Sequence, residues 1–260
     1  MEGMQKVLEE IRELLLPKEN YSLVLASTTT EWSTNISPPM YLNPKRNYEL
    51  ALVNLETYYS IPNIDSTNNT FVYSPDGGTT WKTITLPTGS YEIDQINAEV
   101  QRHLKENGDW NSGTQEYYMN IAANVATLRA VVEITNATYR VDIAASLIHT
   151  TLGFSPQTLG PGYHEGENPV NILSVNSILV HCNIINGSFL NGGREPVIYS
   201  FFPNVSPGEK IIESPNNLVY LPLAIGGNIQ RIDIRLTDQA CNLLNLRGET
   251  VSLRLHIRSA

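Results

Sequence analysis

Between Ser174 and Arg258 the chain is a succession of short β-type segments: SVNSILVHCNII, EPVIYSFFPNV, EKIIES, NLVYLPL, NIQRIDIRL and ETVSLRLHIR. They are cut apart by NGSFLNGGR, SPG, SPNN, AIGG and LRG. Val, Ile, Leu, Tyr and Phe fill the segments because branched and aromatic side chains suit a pleated, half-buried surface, while Gly, Pro and Asn supply the turns. Strands at such regular spacing belong to an antiparallel sandwich or barrel. This third of the chain builds a shell of strands and carries no recognisable chemistry.

The whole chain must fold around that frame. Its 260 residues suffice for one large β domain or two small ones. Residues 4–16 predict an amphipathic helix, with Val7, Leu8, Ile11, Leu14 and Leu15 on one face, Glu9, Glu10, Arg12 and Glu13 on the other, and Pro17 as the stop. This 1–18 arm packs either on its own domain or on another subunit, and its five apolar residues are the candidate partner-docking side chains. ASTTTEWSTNISPP reads as a polar connection to a long strand between Asn47 and Ile61. NTFVYS and TTWKTITL flank Pro75-Asp76-Gly77-Gly78, a hairpin turn. A helical period follows at Ile93, Ile96, Val100 and Leu104, with Ser90 or Asp94 as the cap and Asn107-Gly108 as the end. Strands return in EYYMNIAA, ATLRAVVEI and ATYRVDI, Gly153 closes a short helix in AASLIHTTLGF, and residues 155–171 read as a Pro- and Gly-rich loop. No repeat or linker divides the chain. The expected organisation is an all-β jelly-roll domain over residues 19–260 with short helical insertions, the helix-bearing one around residues 90–108.

Composition narrows the function. Only 17% of the residues are charged, so Asn, Ser and Thr carry much of the polar surface, and large uncharged areas of this kind are often covered by neighbouring subunits. A net charge of -9 argues against a nucleic-acid binder that relies on general basicity. Cys182 and Cys241 form neither a CxxC pair nor a disulfide framework, which fits free thiols in a reducing compartment. MEGMQKVLEEIRELLLP is acidic throughout and lacks the apolar core of a signal peptide. No stretch approaches the ~20 apolar residues of a membrane span.

Catalytic constellations are not legible. His103, His149, His164, His181 and His256 make no HxH, HExxH or HxxE pair, and they read as isolated surface or core histidines. His164, beside Glu165 and Glu167 in GYHEGEN, is the best remaining candidate for metal or acid–base chemistry. PDGGTTW, LNGGRE and AIGGN lack the spacing that wraps phosphates and read as hairpin turns. Arg231, Asp233 and Arg235, and likewise Arg254, His256 and Arg258, alternate with apolar neighbours and so point away from the core. Such rows are either solvated or meet a subunit or an acidic partner. The expectation is a protein without catalytic residues, cofactor or metal.

NYELALVNLETYYSIPNI, LPTGSYEIDQIN with its helix, ILVHCNIINGSFLNGGREPVIYSF, SPGEKIIESPNNLVYLPL and IQRIDIRLTDQACNLLNLRGETVSLRLHIR together resemble the minor capsid (penton) proteins of Polintons/Mavericks, adintoviruses and virophages. The resemblance covers most of residues 45–258 and is most specific in the tail, where a T-D-Q turn, NLLNLRGE and a final alternating strand follow one another. It implies a single jelly roll that assembles as a homopentamer at the vertices of an icosahedral capsid, beside a major capsid protein of double jelly-roll type. The implied location is the virion. The residues themselves agree on an antiparallel sandwich and do not supply the pentamer. Two other classes stand beside this one: a jelly-roll carbohydrate-binding or attachment module, and a cupin-like enzyme. The second needs converging metal ligands that the histidine spacing does not offer.

Overall fold

The structure, a computed structural model, describes Met4 and residues 17–172, 175–224 and 226–260. The predicted docking residues Val7, Leu8, Ile11, Leu14 and Leu15 lie outside the described residues. The chain divides into two compact units, residues 1–59 with 176–260, and residues 60–175. The first opens with β1 (Asn20–Ser27), β2 (Glu31–Tyr41) and β3 (Tyr48–Tyr58). The second holds β4 (Thr70–Ser74), β5 (Lys82–Thr85), α1 (Ile93–Glu106), β6 (Met119–Asn124), β7 (Arg129–Ile134), β8 (Arg140–Asp142), α2 (His149–Leu152), β9 (Thr158–Leu159) and β10 (Gly162–Glu165). The chain then returns to the first unit through β11 (Ile178–Cys182), β12 (Phe189–Leu190), β13 (Gly193–Arg194) and β14 (Val197–Phe201). It finishes with β15 (Lys210–Glu213), β16 (Leu221–Pro222), β17 (Asn228–Thr237) and β18 (Val251–Ser259).

The first unit is a jelly roll. One sheet runs β1-β18-β3-β15, with β16 also on β3, and the other runs β14-β11-β17-β2. Leaving out the β12–β13 hairpin and the short β16, the main strands counted in chain order lie as 1-8-3-6 and 5-4-7-2, the double Greek key of that fold. Alternation decides which side chains meet. Leu25, Leu253 and Leu55 lie opposite one another on three strands and are buried, as are Cys182 and Ile234 on the other sheet. Tyr199 on β14 donates to Glu213 on β15 at 2.8 Å, a hydrogen bond from one sheet to the other. Strand β3 breaks the strict alternation, since Leu50, Leu52 and Leu55 are all buried. A bulge at Val53 restores the phase, because Leu52 and Asn54 face the consecutive residues Leu255 and Arg254.

Residues 26–39, expected as a polar connection, contain most of β2. The strand pairs only with β17, so it is an edge, and an edge tolerates Pro38 and Pro39 and needs few apolar side chains. NGSFLNGGR, expected as a separator, folds into the β12–β13 hairpin, with Asn191 and Gly192 at positive φ in the turn.

The second unit extends well beyond the 90–108 marked from the sequence and has its own core. Ile93, Ile96, Val100 and Leu104 of α1 join Phe71, Tyr73, Met119, Ile121 and Val132 in it. Glu92 caps α1, its N–H donating to Gln95 Oε1 at 2.9 Å, in place of the expected Ser90 or Asp94. Ser90 instead donates to the Ile61 carbonyl. Just after the helix, Asp109 Oδ2 accepts from Tyr73 at 2.5 Å and from Lys82 at 2.6 Å, and its carbonyl accepts from Tyr139 at 2.6 Å. Residues 155–171 are more than a loop: β9 pairs with β8, and β10 pairs with β7. Gly153 closes α2 at φ 76°, where an added Cβ would lie 2.2 Å from the Asn168 carbonyl oxygen.

Candidate functional site

The two polar rows marked in the sequence do face outward on the jelly roll, and their surroundings differ. On β18, Arg258 pairs with Glu49 at 3.1 Å and lies over the Tyr220 ring at 3.5 Å. Tyr220 in turn shares a 2.7 Å hydrogen bond with His256. His256 and Arg258 are thus held by aromatic and ionic contacts, whereas Arg254 is exposed. On β17, Arg231 pairs with Asp233 at 2.6 Å and donates to Ser33 at 2.8 Å, while Asn183 donates to Asp233 at 3.1 Å. The Ser33 hydroxyl and then the Arg231 guanidinium hold the Asp233 carboxyl below the usual range. The Arg235 side chain has no hydrogen bond or ion pair among the described residues. Each row is half-exposed and polar.

One residue of the same outward face escaped the sequence. Pairing places His181 beside Arg235 and Arg235 beside Glu31, yet His181 is 3% exposed. Thr237 gives its hydroxyl hydrogen to the Asp238 carbonyl and so accepts from His181 Nε2 at 2.9 Å. Nδ1 is then a buried acceptor without a partner. Burial, and after it the Arg235 charge, holds the imidazole pKa below its ordinary value, so the ring is neutral. A cavity of about 400 Å3, lined in part by Glu31, His181, Asn183, Asp233 and Arg235, opens on this face. A histidine in ILVHCNII offers no local sign that it will be buried on the outward face.

The His164 group does not converge. His164 and Glu165 are consecutive on β10 and therefore point to opposite faces. His164 Nε2 meets the Gly160 carbonyl at 2.8 Å, and Glu165 accepts from Asn124 at 3.0 Å and from Thr127. Glu167 accepts from the Ser155 N–H and from Gln157, both at 2.7 Å, and the Ser155 bond lowers its pKa. All three side chains tie down their own chain. His149 meets the Ser146 carbonyl at 2.8 Å, and His103 lies 3.5 Å from Glu99 on α1. Among the described residues no three His, Cys, Asp or Glu side chains gather as metal ligands would. Cys182 and Cys241 are free thiols, and burial pushes the Cys182 pKa up to about 12.

Apolar side chains also remain uncovered on the jelly roll. Val24 on β1 and Ile212 on β15 are each 62% exposed, and these two strands form opposite edges of one sheet. No helix of the described residues is long and apolar enough to cross a membrane.

The chain matches no family model and no curated protein. Among solved structures it is similar to the crystal structure of a selenomethionine-labelled mavirus penton protein, at 10% identity and a TM-score of 0.49, over 94% of this chain and 100% of that one.

Proposed function

We propose that this chain is a minor capsid protein of the penton kind, which closes into a ring of five at the vertices of an icosahedral shell beside a double jelly-roll major capsid protein. The observation that carries the reading is the strand order 1-8-3-6 against 5-4-7-2, taken with the tail motifs in which the sequence resembles penton proteins. A closed ring needs two different surfaces on every subunit, one meeting the other on the next copy. Val24 and Ile212, exposed on opposite edge strands, offer such a pair. The predicted helix at 4–16 is assigned within the same proposal to docking on a neighbouring capsid subunit.

Light scattering tests the ring. The expected mass is that of five 28.9 kDa chains at micromolar concentration, and Val24→Lys or Ile212→Lys lowers it. A mass of 28.9 kDa at that concentration overturns the reading. Deleting residues 1–17 should leave the melting temperature nearly unchanged while weakening incorporation into shells. Loss of folding in that truncation would place the helix in the domain core.

A further inference from the structure

We infer that the outer face of β6, β7 and β10 in the second unit is a binding cleft for a neutral saccharide. The three strands pair so that Tyr163, Glu133 and Asn120 form one row across the sheet, side by side on the same face. That face turns away from the core, since the alternate residues Met119, Ile121, Val132 and Ile134 are the ones buried. A concavity of about 730 Å3 lies at this row, lined in part by Gln101, Tyr117, Tyr118, Asn120, Glu133 and Thr135. Tyr163, next in the row, is 62% exposed.

The phenol and carboxylate groups there are unspent, while Asn120 Oδ1 is taken up by Asn97. The hydroxyls of Tyr117, Tyr118 and Tyr163 and the Glu133 carboxylate have no hydrogen-bond partner among the described residues. The Tyr117 ring is backed by Trp110 at 5.8 Å, and the Tyr118 ring by Tyr139 at 5.2 Å, so both are held in place. Rigid rings, phenol donors and a free carboxylate match a sugar, whose C–H faces lie on aromatic rings and whose hydroxyls both donate and accept. A carboxylate accepts from two neighbouring hydroxyls at once. Charge selects within the class. Glu116 and Glu133 line the cleft and no Lys or Arg does, so sialylated or sulfated sugars are repelled and neutral ones are admitted.

The test presents the full chain to an array that pairs neutral oligosaccharides with their sialylated forms. The expected result is retention on at least one neutral oligosaccharide and not on its sialylated form. Glu133→Gln and Tyr163→Ala should each weaken that binding roughly tenfold or more, the loss of one charge-assisted or stacking contact, with the wild-type melting temperature kept. Both sites are on the surface, so the second variant decides if the first is unstable. Binding to no neutral oligosaccharide, preference for sialylated ones, or retention unchanged in both variants overturns the inference. Mass in solution is measured on the same samples, so failure of the ring and failure of the cleft are read apart.

Discussion

The two units hold their folds by opposite means. In the jelly roll the chain's first and last strands are neighbours: Asn20 lies opposite Arg258, and the Glu19 N–H donates to Ser259 at 3.0 Å. Its long strands are specified by alternation, so each sheet has one apolar and one polar face. The second unit pairs mainly strands that are close in sequence, β4 with β5, β6 with β7 and β8 with β9, with β4 against β8 as the long-range exception, and most of its strands are shorter. One helix supplies much of the apolar surface, and side-chain pins such as Asp109 fix the loops. The contrast teaches that long-range pairing gives a frame whose outer faces are free for partners. Local pairing gives a unit whose detail sits in caps, turns and clefts. Non-local pairing also forms more slowly, because the chain must close large loops before contacts stabilise them.

The largest effects come from the cores. Leu253→Ala should cost the jelly roll about 3 kcal/mol and Ile96→Ala a similar amount in the second unit, both side chains being essentially inaccessible. Hydrogen exchange locates each loss, in β1, β3 and β18 for the first and in α1 and β6 for the second. If Ile96→Ala unprotected the jelly-roll strands as much as its own helix, the two regions would be one cooperative body and the contrast would fail.

A smaller effect sharpens the claim that the second unit depends on caps. Gly153→Ala should cost at least about 2 kcal/mol in denaturant unfolding, because the residue is left-handed and its Cβ meets backbone. Gly77→Ala, also left-handed at φ 79° but with open space around it, should cost about half as much. Equal losses would mean that backbone conformation alone, and not the close approach to Asn168, sets the cost.

The smallest expected effect concerns His181. Its pKa is lowered in the fold, so the unfolded chain binds the proton more readily. The stability it confers is fully present above the unfolded value near 6.5 and is lost as pH falls below it. Melting temperatures of the wild type and of His181→Asn should therefore converge as pH drops from 7 toward 5. A constant difference across that range would show that the ring takes no part in acid sensitivity.

Much of the frame was legible in the residues. Each of the six apolar segments of the tail contributes a strand, the stripe at Ile93, Ile96, Val100 and Leu104 is the buried face of α1, and Pro75-Asp76-Gly77-Gly78 joins β4 to β5. The polar β2 was not legible, because an edge strand is supported by one neighbour and can dispense with the apolar pattern that marks a strand. Of the candidate site residues, the outward rows on β17 and β18 followed from alternation, whereas the His164 group gathered only in sequence.

Periodicity along the chain thus determined which segments become strands or helix and which of their side chains turn outward, since both depend on neighbours two to four residues away. The tertiary structure decided what lies beside them. It placed β18 between β1 and β3, bounded the second unit at residues 60 and 175, buried the outward His181, and set Tyr163, Glu133 and Asn120 in one row. Those outcomes depend on pairing between segments far apart in sequence, where register and burial are set by the partner strand and not by the residues on either side.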